Sequence, residues 1–392
     1  MHIRPSTPAT SGDSSRPTTM RAHAVRTVLA LAAAAALAAC DDSPIAPKAN
    51  GPTIPAGGVK SPAAVINILP AGQTFPAKIA FATGSPVGKD AKVRVYDKSG
   101  TQLAVFYAFS AVEDFSAGVE VAVGDVNGDG WPDIVAGEGP TPSASWSSQI
   151  NVWDGKTGSL IKSMTPYVGN KDGYRVATGD LDGNGSDEIL GCRRPGGTTH
   201  GVALRLDGTA IDWFTLYGTS GWANAGCDID AGDVNGDGKE EVVVKYDGVW
   251  NAITIHDEAN KKAFGVPSPL SGYTGSTSLT IGDVNGDKKP EIIMAFRSAV
   301  MYSPEVIVFD GRTVQPNVPL FKLLGFKPFS FWWKTGVEVV ARDLHGDGAV
   351  EILTKPTVTP YSELGALTPL YFTNWLFYKI EAGNPPAGGG IG

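Results

Sequence analysis

The sequence predicts an all-β protein folded as a β-propeller of four-stranded blades, with six blades preferred and seven the main alternative. A nine-residue acidic loop occurs five times, starting at Asp125, Asp180, Asp233, Asp283 and Asp343, at intervals of 50 to 60 residues. Each copy lies between short apolar runs, and the 49 glycines and 28 prolines suit tight turns between short strands. A period of this length indicates repeated small β units, and a propeller holds 392 residues in one closed body.

Each repeat unit reads as four short strands around one loop. A first strand leads into the loop, as over 119–124, 174–179, 278–282 and 337–341, and a second strand follows it. A third strand ends in an aspartate turn, as over 150–155, 202–208, 253–257 and 306–311. Alternating apolar residues mark one buried face of that strand, and Asp-Gly closes a hairpin into a fourth, outer strand.

The loop has the oxygen spacing of a calcium site. Side chains at loop positions 1, 3, 5 and 9, with the backbone carbonyl at position 7, can converge on one hard cation. The predicted ligands are Asp125, Asn127, Asp129, Trp131 and Asp133; Asp180, Asp182, Asn184, Ser186 and Glu188; Asp233, Asn235, Asp237, Lys239 and Glu241; Asp283, Asn285, Asp287, Lys289 and Glu291; and Asp343, His345, Asp347, Ala349 and Glu351. We therefore expect up to five Ca²⁺ ions, whose main role is to fix the first two strands of each blade.

Two loops depart from the pattern. His345 occupies position 3 of the fifth loop, and its nitrogen is a poor partner for a hard ion. Lys288 occupies position 6 of the fourth loop, where the other loops have glycine. If that position requires a positive φ, the lysine costs about 1 kcal/mol. We expect the sites starting at Asp283 and Asp343 to be the weakest.

The predicted propeller domain covers residues 65–381, and a flexible tail follows over 382–392. Its opening segment fits the repeat without a loop, because 79–84 resembles a second strand and 93–97 a third. A first strand is missing there unless 65–69 supplies it. The run over 370–380 is a surplus strand or hairpin, and its pairing with the opening partial blade would close the ring.

The first 39 residues have the pattern of an export signal of the lipoprotein type, with Met20 as an alternative start. Leu37-Ala38-Ala39-Cys40 resembles a bacterial lipobox, whose cysteine is lipidated; an ordinary cleavage site before a cysteine is the alternative. Residues 41–64 are rich in Pro, Ala, Gly and Ser, which predicts a disordered tether. The expected location is the bacterial cell envelope, lipid-anchored at the periplasmic face or the cell surface.

The charge balance agrees with bound cations. The formal charge is −8, the leader before Cys40 carries +3, and the remainder therefore carries −11, which five divalent ions would reduce to −1. The acidity is thus mostly ligand charge, so that empty loops should repel themselves. The chain has no basic stripe, which argues against nucleic acid as a partner.

Two cysteines, Cys192 and Cys227, remain after lipidation of Cys40. They lie on neighbouring repeats in an exported and therefore oxidising setting, so a disulfide is possible. Two free buried cysteines are the alternative, because a sequence does not give the Cα separation that a disulfide needs.

The pattern Gly-Asp-x-Asn-Gly-Asp-Gly-x-x-(Asp/Glu)-Ile resembles the FG-GAP or VCBS repeat of bacterial propellers and of the integrin α-subunit head. The resemblance covers about residues 75–381 and implies that the metal loops lie on one face of the propeller. It also implies that the other connections gather on the opposite face. Residues expected on this second face, where they would bind a ligand, are Trp146, Arg193, Arg194, His200, Tyr217, Trp222, Tyr273, Tyr302, Phe329, Trp332 and Trp333.

These features predict a calcium-stabilised, monomeric binding or adhesion module for a glycan or a protein, without catalytic residues. One alternative is a calcium-dependent polysaccharide lyase, because residues 232–246 resemble repeats of rhamnogalacturonan lyases, with Arg193, His200 or Lys245 as candidate bases. The other is a scaffold within an envelope complex. The sequence contains no motif of a hydrolase elbow, zinc protease, phosphate loop or dinucleotide site.

Overall fold

The structure is a computed structural model that describes most of the repeat region. It describes residues 68–85, 87, 91–109, 117–141, 147–196, 200–215, 226–247, 253–258, 261–267, 269–270, 273, 275–297, 305–328, 336–357 and 376–378. The predicted leader, the predicted lipidation site Cys40, the predicted tether and the predicted tail therefore lie outside the described residues. Within the described part, no helix has the length and apolarity needed to cross a bilayer.

The described residues form six small antiparallel sheets, here called blades 1 to 6 in chain order. Four blades have four strands, and blades 1 and 6 have three each in the described part. The strands are β1 Phe81–Gly84, β2 Lys92–Tyr96 and β3 Gln102–Tyr107 in blade 1; β4 Val119–Gly124, β5 Asp133–Glu138, β6 Ile150–Trp153 and β7 Leu160–Met164 in blade 2; β8 Tyr174–Gly179, β9 Glu188–Arg193, β10 His200–Leu204 and β11 Ala210–Thr215 in blade 3; β12 Cys227–Gly232, β13 Glu241–Tyr246, β14 Ile253–Asp257 and β15 Lys262–Val266 in blade 4; β16 Thr277–Gly282, β17 Glu291–Phe296, β18 Val306–Phe309 and β19 Lys322–Phe326 in blade 5; and β20 Val337–Arg342, β21 Glu351–Pro356 and β22 Leu376–Tyr378 in blade 6. A short 3-10 turn, Gly311–Thr313, joins β18 to β19.

Each blade is a meander in which successive strands pair, as the predicted repeat requires. In blade 4, the pairing of β12 with β13 runs from Cys227 opposite Tyr246 to Gly232 opposite Glu241. The second strands β5, β13 and β17 are buried along their whole length. They are apolar on both faces because a neighbouring blade covers each face, whereas the outer strands β3 and β19 keep one face in solvent.

The hydrophobic core is divided into clusters that lie between blades. Five clusters join consecutive blades, from blades 1 and 2 to blades 5 and 6. A sixth and smaller cluster, Phe81, Tyr96, Leu344 and Leu353, joins blade 6 to blade 1. The first and last sheets therefore close a ring, which confirms the predicted β-propeller.

The structure corrects the expected arrangement of the two ends of the ring. The segment 376–378 pairs with β21, Ile352 opposite Tyr378, so it is the third strand of blade 6 and does not join blade 1. Ile68 does not extend blade 1 either, because its N–H donates to the Gly158 carbonyl of blade 2, 2.7 Å away. The ring is closed by side-chain packing between blades 6 and 1, since the apolar faces of both sheets need cover there.

Cys192 and Cys227 form a disulfide with their Cα atoms 5.7 Å apart. Both are fully buried, Cys192 in β9 and Cys227 at the start of β12. Of the two alternatives that the sequence left open, the structure has the disulfide, which links blade 3 covalently to blade 4.

Candidate metal centres and the central ion network

The five acidic loops all join the first strand of a blade to the second, so they lie at one end of the ring. Backbone hydrogen bonds connect them in series, because the N–H at position 8 of one loop donates to the position 1 carbonyl of the preceding loop. These bonds run from Asp187 to Asp125 at 2.8 Å, from Glu240 to Asp180 at 3.0 Å and from Val350 to Asp283 at 2.8 Å. The series is interrupted at Pro290, which has no N–H to donate.

The aspartate at position 1 organises each loop. Its carboxylate accepts hydrogen bonds from the backbone N–H groups at positions 4, 5 and 6, at 2.5 to 3.3 Å in all five copies. The segment over positions 4 to 6 turns back over this carboxylate, and positions 4 and 6 have positive φ in every loop. The sequence folds this way locally because aspartate accepts from its own following backbone and glycine tolerates the turn.

Positions 3 and 5 bring further oxygens to the same side. In the first four loops the position 3 oxygen accepts from the position 5 N–H at 2.8 to 3.2 Å. The position 5 oxygen accepts from the position 7 N–H at 2.7 to 3.2 Å in all five loops. These bonds use one lone pair of each oxygen and leave others for a cation, since a carboxylate has about four acceptor sites.

The carboxylates at position 9 are the buried members of the loops. Asp133, Glu188, Glu241, Glu291 and Glu351 are each at most 4% exposed. Burial, with a contribution from neighbouring loop carboxylates, raises the pKa of Asp133, Glu188 and Glu291 to about 7 and that of Glu241 to about 8. Buried acids among other acids lack a compensating positive charge, which a divalent cation would supply.

The loops therefore fit calcium, because their predicted ligands are hard oxygen donors at every position except His345. In the second loop the ligand atoms of Asp180, Asp182 and Glu188 lie within 4.8 Å of one another. The same holds for Asp237 and Glu241 of the third loop together with Asp257, the last residue of β14. When bound, calcium would neutralise these carboxylates and hold the turn between the first two strands.

Asp257 was not among the predicted ligands, although it ends the third strand at the aspartate turn. Asp154 and Asp310 end the third strands of blades 2 and 5 and raise the pKa of Asp133 and Glu291, respectively, in addition to the effect of burial. In blade 3 the corresponding place belongs to Arg205, whose charge opposes the rise in the pKa of Glu188. The repetition of the aspartate could have identified it as part of the metal centre.

Both departures from the loop pattern have a structural effect. Lys288 has φ of 64°, in the left-handed region, while the glycines at the same position have φ of 81° to 88°. The expectation of a strained fourth loop is therefore confirmed at the backbone. In the fifth loop, Nδ1 of His345 lies 2.6 Å from Oε1 of Glu351, where Asn235 and Asn285 place a side-chain amide against their own glutamates.

An ion network fills the opposite end of the central channel. Arg297, which follows β17, contacts Glu120 at 3.0 Å, Asp228 at 3.1 Å and Glu338 at 3.2 Å. Arg194 contacts the second oxygen of Glu120 at 2.5 Å. One guanidinium thus joins carboxylates from blades 2, 4 and 6. Burial opposes ionisation of Glu120, but Arg194 and Arg297 outweigh it and hold the pKa of Glu120 well below its usual range.

Sequence reasoning did not find this network. Its signal is a polar residue at the second place of every first strand: Glu120, Arg175, Asp228, Ser278 and Glu338. Four of the five contact Arg297: Glu120, Asp228 and Glu338 through ion pairs, and Ser278 by accepting a hydrogen bond at 3.5 Å. Arg175 donates to Asp247 at 2.9 Å and to the Cys227 carbonyl at 2.7 Å.

The predicted ligand face is described only in part. Trp146, Tyr217, Trp222, Tyr302, Phe329, Trp332 and Trp333 lie outside the described residues. Arg193 and Arg194 do lie at the expected end, but Arg193 contacts Asp172 at 2.7 Å and Arg194 belongs to the ion network. Tyr273 packs its ring 4.5 Å from that of Phe296 and donates its hydroxyl to the Ser276 carbonyl. These three side chains are therefore engaged within the protein.

Residues 125–191 and 233–294 match the family of FG-GAP-like repeats. The first span contains the first and second loops, and the second span contains the third and fourth. The chain therefore contains FG-GAP-like repeats, and its described residues form a β-propeller, as the loop pattern predicted. A comparison with curated protein sequences gave no significant match.

Several solved structures are similar to this chain at low identity. The V. cholerae biofilm matrix protein Bap1 is 15% identical with a TM-score of 0.37, and the match covers 67% of this chain and 38% of that one. A Bacillus licheniformis rhamnogalacturonan lyase is 14% identical with a TM-score of 0.33, over 73% of this chain and 60% of that one. Saccharomyces cerevisiae Sqt1 is 10% identical with a TM-score of 0.35, over 73% and 86%. The chain spans less than two thirds of the length of the first two proteins.

Proposed function

We propose that this propeller is a calcium-stabilised, non-catalytic module that binds a glycan or a protein outside the cytoplasm, tethered through lipidated Cys40. One observation carries the calcium part of the proposal. Five loops repeat the same hydrogen-bonded turn around a position 1 aspartate and end in a buried position 9 carboxylate, in the same place of five blades. A single acidic loop would be unremarkable on a protein surface, but five equivalent ones in a closed ring indicate a common ligand.

The surroundings of the three candidate bases support a role without catalysis. Lys245 is fully buried and paired with Asp247. The ring of His200 is partly buried, and burial together with Arg193 lowers its pKa. Arg193 itself is held by Asp172 and stacks over the ring of Tyr167 at 5.7 Å. A general base must reach a proton of its substrate, and these side chains are occupied by structural contacts.

The arrangement of the ring supports a binding role for the face opposite the metal loops. The ion network lies at that end, so a partner would contact the rim and its connections. Those connections carry most of the aromatic residues that the sequence singled out. Aromatic rings among polar loops suit sugar stacking or a protein contact.

The calcium part is tested by calorimetric titration of the chelator-treated protein with Ca²⁺, followed by thermal unfolding. We expect up to five equivalents of calcium to bind and the unfolding temperature to rise. Identical unfolding with and without calcium, together with no bound metal by elemental analysis, would refute it.

The binding part is tested on a glycan array and by pull-down from envelope extracts. A double substitution, Trp332→Ala with Trp333→Ala, should abolish the signal without changing the melting temperature. Trp131→Ala is the matched control, because this tryptophan lies on the metal-loop face. Binding retained by the double variant would exclude that rim segment. Unsaturated-uronate absorbance on rhamnogalacturonan would instead establish the lyase, and protein partners without sugar affinity would favour the scaffold.

A further inference from the structure

A further cluster that could hold a metal ion lies between blades 3 and 4, outside the five acidic loops. Asp212 of β11, His256 of β14 and Glu258 just after β14 each offer one ligand atom, and these atoms lie within 4.8 Å of one another. We propose that these three residues form a binding site for one divalent transition metal ion of the Zn²⁺ class. The proposal is independent of the proposed function, because none of the three belongs to an acidic loop.

Strand alternation brings the three side chains together. Asp212 and Phe214 lie two residues apart on β11, and His256 and Glu258 lie two residues apart along β14 and its end. Each pair therefore shares one face of its blade. Contact between the faces is shown by the rings of Phe214 and His256, whose centroids are 4.6 Å apart. Asp257 alternates to the other face of blade 4, where it joins Glu241 and Asp237 of the third acidic loop.

The cluster is buried and short of positive charge. Asp212 is 7% exposed and Glu258 is 5% exposed. Lys261 contacts one oxygen of Glu258, Oε2, at 3.0 Å. The other oxygen, Oε1, is buried and has no hydrogen-bond donor among the described residues. A buried carboxylate oxygen without a donor, beside a second carboxylate, would be stabilised by a further cation.

The donor set differs from that of the loops in a way that selects the metal. The loops offer mostly oxygen donors, which favour calcium, whereas this cluster adds an imidazole nitrogen to two carboxylates. Imidazole with carboxylates suits zinc and related first-row ions, and three protein ligands leave room for water. Nε2 of His256 lies 3.0 Å from the Thr254 hydroxyl, which fixes the orientation of the ring.

The test is a calorimetric titration of the untagged full chain with Zn²⁺ after its loops have been saturated with Ca²⁺. We expect one zinc equivalent that millimolar calcium does not displace. Asp212→Asn, His256→Gln and Glu258→Gln should each weaken zinc binding at least about tenfold. Asp207→Asn is the matched control, because Asp207 is an exposed turn carboxylate on the same hairpin, and it should bind zinc as the unmodified protein does.

Two further results decide the matter without depending on how well the variants fold. Zinc-edge X-ray absorption of the unmodified protein should show scattering from one imidazole, and its absence would overturn the proposal. His345→Asn tests the competing site in the fifth loop. Loss of zinc binding in that variant but not in His256→Gln would overturn the proposal, as would the absence of a stoichiometric zinc ion in the unmodified protein.

Discussion

Replacing Lys288 by glycine should stabilise the calcium-loaded protein. The lysine has φ of 64°, and its N–H donates to Asp283 at 2.7 Å, so the residue cannot leave the left-handed region without breaking the loop. A non-glycine residue in this region costs about 1–2 kcal/mol. Glycine gives back about 0.4–1 kcal/mol through the greater freedom of the unfolded chain. The expected net gain is therefore about 0–1.6 kcal/mol, with a central value of about 0.8 kcal/mol.

The reverse substitution, Gly238→Lys, provides the matched comparison. A Cβ at Gly238 would meet nothing within 4 Å, so the change tests backbone strain without a steric clash. It should destabilise the protein by a similar amount. Lys288→Ala keeps the strain but removes the charge, and it should change stability by less than about 0.5 kcal/mol, as surface substitutions usually do.

The assay is equilibrium denaturation in saturating calcium. The midpoints of the variants are compared with that of the original protein where the dependence of the unfolding free energy on denaturant concentration is the same. The gain in stability should move the denaturation midpoint upward in Lys288→Gly, and the loss should move it downward in Gly238→Lys. If Lys288→Gly proved less stable than the original protein, or if Gly238→Lys had no cost, backbone strain would not explain the departure of the fourth loop.

Four further outcomes follow from the structure. Chelation should lower the melting temperature and calcium should restore it. Each loop that binds calcium should stabilise the fold by about 2.7 kcal/mol when free calcium is at a hundredfold excess over the dissociation constant of that loop. An unchanged melting temperature would contradict the metal assignment. Replacing Cys192 and Cys227 by alanine should cost about 4 kcal/mol in denaturant unfolding, because the disulfide closes a separation of 35 residues; reduction of the original protein should reproduce the loss. Arg297→Met should cost about 3–5 kcal/mol because buried carboxylates lose their partner. Arg312→Met, which removes an exposed ion pair with Asp310, should cost far less in the same assay. His345→Asn should lower the dissociation constant of calcium at the fifth loop, as measured by titration. A higher dissociation constant would show that the imidazole is not what weakens calcium binding at that loop.

The metal loops could be predicted from the sequence because all five ligand positions lie within nine residues. The strands beside them were predictable for the same reason: the first strand expected over 119–124 is observed as β4 Val119–Gly124. Local spacing fixes such features before any knowledge of the fold. The strain at Lys288 was also predictable, since it depends on one residue in a known turn.

The ion network and the ring closure depend on contacts between distant parts of the chain. Arg297 meets Glu120 across 177 positions of sequence, and only the number and order of the blades bring them together. The third strand of blade 6 could likewise not be assigned, because an apolar run such as 370–380 can pair with either of two neighbouring sheets. The cluster of Asp212, His256 and Glu258 requires the facing sides of blades 3 and 4, which a single repeat does not define.

The packing between neighbouring blades is unequal around the ring, and this determines where the molecule opens first. Blades 2 to 6 carry acidic loops, whereas the described part of blade 1 has none. Among the described residues, the apolar contact between blades 1 and 6 is the small cluster of Phe81, Tyr96, Leu344 and Leu353. Local unfolding starts where the fewest apolar contacts must be lost. Transient separation of blades 6 and 1 would therefore convert the closed ring into an arc while the individual blades stay folded. A protease or a partner strand would find its entry at this seam.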